Sequence, residues 1–202
     1  MFELTRGHPS HVIPRDVAEE PLVSNPSEIV FGHTVEGLLL ALKGRLEGPL
    51  RAKLKEAGLD LDRKLEPAYP NATWQKLLQI GATELFPDVS MNEAQWLLGE
   101  RFVAGYFETN MGRALQTVLK LLGPARALER TSRNLASGSN FLHVDVERLA
   151  DTDYRIKVNE GGTYPEFIGS ICHHGTLTTG VKGLTTVVES RQGRAAIYRV
   201  RW

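Results

Sequence analysis

The sequence changes its hydrophobic period about two thirds of the way along the chain. Up to about residue 135, apolar residues recur mostly every three or four positions, the period of an amphipathic helix. Two later segments, 141–149 and 153–160, alternate apolar and polar residues, which predicts strands with one solvated face. Because helices come first and strands later, the pattern favours an α+β fold over a parallel α/β sheet.

The helical part contains one unusually long amphipathic pattern. It runs from Glu93 to Leu122, and we interpret it as one long helix. Gly99, Gly105 and Gly112 recur within it, and each glycine costs roughly 1 kcal/mol relative to alanine in a helix. We interpret them as a stripe that lets another backbone approach closely, with a kink as the alternative. Shorter helices are predicted over 35–43, 48–57, 74–86 and 125–135.

The C-terminal third predicts a sheet interrupted by a helix. Pro165 opens a helical stretch that continues to about Lys182. Two further strands, Thr185–Ser190 and Ala195–Trp202, follow it and form a hairpin around Gln192-Gly193. We therefore predict four antiparallel strands in the order strand–strand–helix–strand–strand, with the helix packed on one face of the sheet.

Domain boundaries follow from proline content. Residues 1–26 hold four of the ten prolines and show little periodicity, so they are predicted to form an irregular N-terminal arm. Residues 27–202 are then a single α+β domain of ordinary size.

Composition excludes several classes of function. Lys plus Arg equals Asp plus Glu, at 24 each, so no basic bias indicates nucleic-acid binding. No apolar run approaches the roughly 20 residues of a transmembrane helix, and the start lacks the apolar core of a secretory signal. The single cysteine, Cys172, cannot form an internal disulfide. We expect a cytoplasmic protein, with peripheral membrane attachment left open.

The strongest candidate for chemistry is the triplet Cys172-His173-His174. Consecutive residues on a helix point about 100° apart and cannot all face one metal ion. Convergence of Cys172 with His33 or His143 stays open, but we expect no zinc. A nucleophilic cysteine would need a histidine base within reach, and no phosphate-binding loop is present. We therefore predict no catalytic residue, no metal and no enzyme.

A second charged pattern is left without a function. Arg126, Arg130 and Arg133 recur at helical spacing. They form either a site for an anion or a protein partner, or an ordinary solvated face.

Several segments together resemble a paralogous family of proteins of about this length and of unknown function, expanded in myxobacteria. They are Val30-Phe31-Gly32 leading into 34–37, residues 58–62 leading into Tyr69-Pro70 and Trp74, residues 85–88, the run LLGERFVAGYFETNMGRAL and the ending 196–202. That family is in turn similar to the fold of heme nitric oxide/oxygen-binding domains, 4-vinyl reductase domains and transport-particle subunits. The resemblance implies a core pocket, which in that fold holds heme, small hydrophobic molecules or acyl chains.

The heme branch of that fold carries a proximal histidine on a helix and a Tyr-x-Ser-x-Arg motif. This sequence has no Tyr-x-Ser-x-Arg, and its helical histidines, His173 and His174, fall on the late helix. The resemblance therefore does not extend to heme, and we expect no cofactor.

The long helical pattern carries more aromatic residues than one core-facing stripe needs. We predict that these residues and an apolar ridge of the late helix border a ligand pocket, the alternative being that they only fill the core. The predicted pocket residues are Trp96, Phe102, Val103, Tyr106, Phe107, Phe167, Ile168 and Ile171.

These expectations favour a non-enzymatic sensor or binding module that holds a small, hydrophobic molecule. The alternative is a ligand-free domain that forms a homodimer or docks a protein partner. The two differ in the cavity: a ligand pocket measures several hundred Å3, whereas an interaction domain has a filled core and an exposed apolar patch.

Overall fold

A computed structural model describes residues 25–202 of the chain. The predicted arm at 1–26 lies outside the described residues, apart from its last two. The helices are α1 (Gly32–Ala41), α2 (Pro49–Glu56), α3 (Asn71–Leu85), α4 (Met91–Tyr106), α5 (Asn110–Glu129), α6 (Thr131–Ala136) and α7 (Pro165–Leu177). The strands are β1 (Ile29–Phe31), β2 (Ala68–Pro70), β3 (Val144–Ala150), β4 (Asp153–Val158), β5 (Thr185–Gln192) and β6 (Ala195–Arg201).

The predicted four-stranded sheet is confirmed. Its strands lie in the order β3-β4-β6-β5, and every neighbouring pair is antiparallel. Alternate residues of β4 and β6, among them Ile156 and Tyr198, are fully buried on the face that packs against α7. The Tyr198 hydroxyl donates a hydrogen bond to the carbonyl oxygen of Pro165 at 2.9 Å, which fixes the start of α7 over the sheet. That helix ends at Leu177, five residues earlier than predicted.

The predicted long helix is wrong: its pattern belongs to two helices. The chain turns between Tyr106 and Asn110. Thr109 caps the second helix, because its hydroxyl accepts a hydrogen bond from the Gly112 amide at 2.9 Å. A side chain at Gly112 would collide with the Tyr106 carbonyl, so the turn requires glycine. The apolar period continues through the turn because both helices bury one side, and the pattern therefore hides the break.

The second of these helices is itself kinked. Gly123, with φ of 73°, leaves the helical conformation immediately before Pro124. Residues 110–122 therefore form a separate helical segment between two breaks in the chain.

The glycines of α4 do allow close packing, but not as one stripe. A β-carbon at Gly99 would lie 2.6 Å from the β-carbon of Ser170 on α7. A β-carbon at Gly105 would lie 2.7 Å from the Ala41 amide nitrogen on α1. Each glycine thus serves a different neighbour, so α4 is held between α1 and α7.

The core has two parts that meet at α7. One lies among α1 to α4 and the small β1–β2 sheet, and the other lies between α7 and the four-stranded sheet. Phe167 belongs to the first and Cys172 to the second. The space between the two parts is where the candidate site lies.

Candidate functional site

A cavity of about 150 Å3 lies between the C-terminal half of α4, the helices α5 and α6, and one side of α7. Its walls are mostly apolar. Helix α4 contributes Phe102, Val103 and Tyr106, and helix α7 contributes Phe167, Ile168 and Ile171. Gly105 lets α4 lie directly against α1, and this contact sets the position of the wall that α4 gives to the cavity.

The structure brings all the predicted pocket residues to this cavity except Trp96. Phe107, which directly follows the last residue of α4, also reaches its wall. Trp96 lies instead against the rings of His173 and His174, with centroids 5.4 and 6.0 Å apart. It shares a side of α4 with Val103 but lies seven residues, roughly 10 Å, nearer the start of the helix, where α7 covers it.

Other residues of the cavity wall were not among the predicted pocket residues. Leu115 and Leu119 lie within the apolar pattern from Glu93 to Leu122, yet their place on the cavity depends on the turn between α4 and α5. Phe141 and Leu142 come from the loop that precedes β3. The alternation over 141–149 predicted a strand that begins at Phe141, but β3 begins only at Val144, so the loop positions of Phe141 and Leu142 on the cavity wall were not predicted.

The Tyr106 hydroxyl lies near the Ser137 side chain. Burial raises the pKa of Tyr106, and a hydrogen bond with Ser137 offsets only part of that rise. Tyr106 contributes its aromatic ring to the cavity wall. That ring stacks on Phe102 with centroids 5.9 Å apart.

Cys172 contributes a thiol to the cavity wall, and this thiol has low reactivity. Burial raises the pKa of its thiol to about 12. The thiolate is the reactive form of cysteine, so at neutral pH the side chain behaves as a small apolar group. His173 reaches away to the hydroxyl of Thr186, 3.2 Å from its Nδ1, so the two neighbours diverge as their helical positions predict.

One polar edge of the cavity carries charge. Glu160 is only 6% exposed, pairs with Arg194 and accepts a hydrogen bond from the Gly162 amide at 2.8 Å. The same guanidinium lies 2.6 Å from a carboxylate oxygen of Glu28, which also accepts a bond from the Asn71 amide. Burial raises the pKa of Glu160 in spite of the arginine. Burial opposes ionisation of Glu28 too, but hydrogen bonds from Arg194 and Asn71 lower its pKa overall.

A serine, a histidine and a glutamate also lie in a row, outside the cavity. Ser170 Oγ is 3.0 Å from His174 Nδ1, and His174 Nε2 is 3.8 Å from a carboxylate oxygen of Glu100. The serine is fully buried and donates its proton to the Trp96 carbonyl at 2.6 Å. A nucleophile must reach a substrate and give its proton to a base, so this row ties α4 to α7 and has no catalytic geometry.

Among residues 25–202, no group of three or more histidine, cysteine or acidic side chains is arranged to hold a metal ion. Within the same range, no helix is both long and apolar enough to cross a membrane.

The fold is that of H-NOX domains. The structure entitled "F78L Tt H-NOX" has a TM-score of 0.63 at 10% identity, over 85% of this chain and 94% of that one. The unliganded Fe(II) H-NOX protein from K. algicida gives 0.58 at 12% identity, over 84% and 94%. An oxygen-binding H-NOX domain related to soluble guanylate cyclases gives 0.57 at 10%, over 84% and 93%. In sequence, residues 28–202 match the family of proteins of unknown function DUF2378. The protein belongs to this family, and no curated protein matches it.

The cavity does not fit the heme of H-NOX domains. None of the histidines within residues 25–202 is on its wall. The sulfur that is there belongs to Cys172, whose thiol burial keeps protonated. The volume, about 150 Å3, is also below the several hundred Å3 of an ordinary cofactor site.

Proposed function

We propose that the protein is a non-enzymatic, cytoplasmic sensor module that binds a small hydrophobic molecule in the cavity between α4, α5 and α7. The observation that carries this proposal is the apolar wall formed by Phe102, Val103, Phe167 and Ile171 around unfilled space. Tight packing is the rule in protein interiors, so a space of this size is a departure that a ligand would explain.

The volume limits the ligand. A ligand pocket was expected to measure several hundred Å3, and this one measures about 150 Å3. An engineered apolar cavity of about 150 Å3 in another protein stays dry and binds benzene or xenon. The proposed ligand is therefore of benzene size, or it inserts one apolar group of that size.

The wall also argues against catalysis. Its thiol has a pKa of about 12, and Glu160 is already paired with Arg194 and bonded to Gly162. Neither group is placed to activate a nucleophile or to transfer a proton at neutral pH. Binding, rather than a reaction, is what these residues support.

The test is whether benzene binds. Ligand-detected nuclear magnetic resonance and thermal shift measure that binding. The wild-type protein is expected to bind, and Val103→Phe is expected to abolish binding because the larger ring fills the space. Val187→Phe, on the exposed face of the sheet, is the matched control and should bind as the wild type does. Absence of binding by the wild type, or unchanged binding by Val103→Phe, would leave the ligand-free interaction domain as the better reading.

A second variant separates a pocket from ordinary core. Val103→Ala enlarges the cavity, so it should admit larger probes such as xylene. Because Val103 already borders empty space, its truncation should cost less than the roughly 2–5 kcal/mol of large-to-alanine changes in a filled core. Native mass spectrometry of protein from its own host would then identify the natural ligand.

A further inference from the structure

One side of α5 is apolar but uncovered. In the segment 110–122, positions 112, 115 and 119 lie on one arc of the helix and face the body of the protein, where Leu115 and Leu119 meet the cavity. The adjoining arc, at 100° per residue, carries Met111, Ala114 and Leu121. Met111 is 55% exposed and Leu121 is 82% exposed. The apolar arc is therefore wider than the protein itself covers.

Charge is concentrated along the same stretch. From Asn110 to Ala136 the chain has five basic residues and one acidic residue, Glu129, a net charge of +4. The whole chain has a net charge of zero, so the remainder carries −4. The segment 110–136 is therefore basic, although the chain as a whole is neutral.

Basic residues lie on the solvent side of α5, about 80 to 100° around the helix from Leu121, and continue past the kink. Arg113 and Lys120 are seven residues apart and lie on one side of α5. Arg126, Arg130 and Arg133 follow Pro124, are exposed, and form no ion pair with any of residues 25–202. Within the described part of the chain, no carboxylate neutralises these three charges.

We propose that this face of α5 and α6 docks on an anionic lipid bilayer. A basic amphipathic helix lies in the plane of the membrane interface, with apolar side chains among the acyl chains and cations at the headgroups. Leu121 and Met111 supply the apolar side chains. Arg113, Lys120 and Arg126 supply the cations. Exposed apolar side chains beside cations match the acyl chains and headgroups of an anionic bilayer, whereas an acidic protein surface would match the cations alone.

The proposal is independent of what fills the cavity. Leu121, Lys120 and Arg126 are absent from the cavity wall, and so is Met111, which lies one helical turn from the wall residue Leu115 but is 55% exposed. Loss of benzene binding would therefore leave the docking surface intact, and loss of docking would leave the cavity intact.

The experiment is co-sedimentation of the full chain with phosphatidylcholine vesicles, with and without phosphatidylserine. Binding is expected only to the phosphatidylserine vesicles and should weaken as salt rises. The double change Met111→Glu and Leu121→Glu should reduce binding by about tenfold or more, and so should Arg126→Glu with Arg130→Glu. Leu149→Glu with Val187→Glu, which alters two exposed apolar residues elsewhere, should leave binding unchanged.

Soluble poly-glutamate distinguishes a bilayer from an acidic protein. If it binds as tightly as the vesicles, and the Met111 and Leu121 changes have no effect, the bilayer proposal is overturned. Equal binding to neutral and anionic vesicles, or no binding to either, overturns it as well. Circular dichroism of each variant confirms that the fold is retained before binding is compared.

Discussion

Gly105 of α4 lies against Gly37 of α1 with almost no space between the two backbones. A β-carbon at position 105 would be 2.8 Å from the carbonyl oxygen of Gly37, and a β-carbon at position 37 would be 3.0 Å from the ring of Tyr106. Backbone atoms cannot move aside as side chains do. This contact therefore sets the position of α4, and with it the wall that Phe102 and Tyr106 give to the cavity.

Gly105→Leu is expected to destabilise the protein by about 3 kcal/mol, because the added side chain must separate the two helices. Chemical denaturation measures the change. Ala104→Leu, an exposed neighbour on the same helix, is the control and should change stability by no more than about 0.5 kcal/mol. An unchanged midpoint for Gly105→Leu would show that the contact is not structural.

The strands were predictable because their signal is local. In β4 the residues Tyr154, Ile156 and Val158 alternate with charged ones, and one buried face is enough to produce that pattern. The break between α4 and α5 was not predictable from periodicity, since the apolar period runs through it. The signal that existed was the pair Thr109 and Gly112, which together cap the second helix.

The candidate site was partly predictable for the same reason. Phe102 and Phe167 reach the cavity because each lies on the buried side of its own helix. The prediction that Trp96 borders the pocket was wrong because a helical wheel gives the direction of a side chain but not its position along the helix axis. The volume of the cavity depends on how α4 and α7 are spaced, and no single segment of sequence encodes that distance.

Arg194→Met should destabilise the protein at neutral pH by about 3 kcal/mol, because Glu28 and Glu160 would be left buried without their cation. Both carboxyls would then have raised pKa values. A carboxyl whose pKa is raised by folding favours the folded state when the pH is below its pKa in the unfolded chain, and it disfavours the folded state at higher pH. The variant should therefore recover stability as pH falls towards about 4. Thermal melts from neutral to acid pH measure this. Arg191→Met, an exposed arginine on β5, should show no such recovery.

Asp153→Asn tests a carboxyl on the outer face of the sheet whose pKa is lowered rather than raised. Hydrogen bonds from Arg199 lower the pKa of Asp153 below its usual 3.8. A lowered pKa adds stability above the unfolded value, and that stability is lost as pH falls through the folded value. The variant should therefore be less stable than the wild type at neutral pH, and the difference should close below about pH 4. Asp151→Asn, whose carboxyl is almost fully exposed, should give a much smaller difference.

Cys172 should resist alkylation in the folded protein. With a pKa of about 12 it has roughly a thousandfold less thiolate at pH 8 than an ordinary cysteine. Labelling with iodoacetamide should be slow in the native state and rapid in denaturant, and its native rate should keep rising above pH 9. Benzene in the cavity should slow it further. Native labelling as fast as in denaturant would contradict the burial of this thiol.

The pairing of Glu28 with Arg194 joins residues 166 positions apart. During synthesis, Glu28 leaves the ribosome long before its partner exists. Strand β1 also needs Ser139, with which Val30 forms a β-bridge. Contacts of such long range make folding slow and leave partly folded chains exposed to aggregation. The first described strand should therefore complete its structure only near the end of translation, and chains truncated before β6 should depend on chaperones to stay in solution.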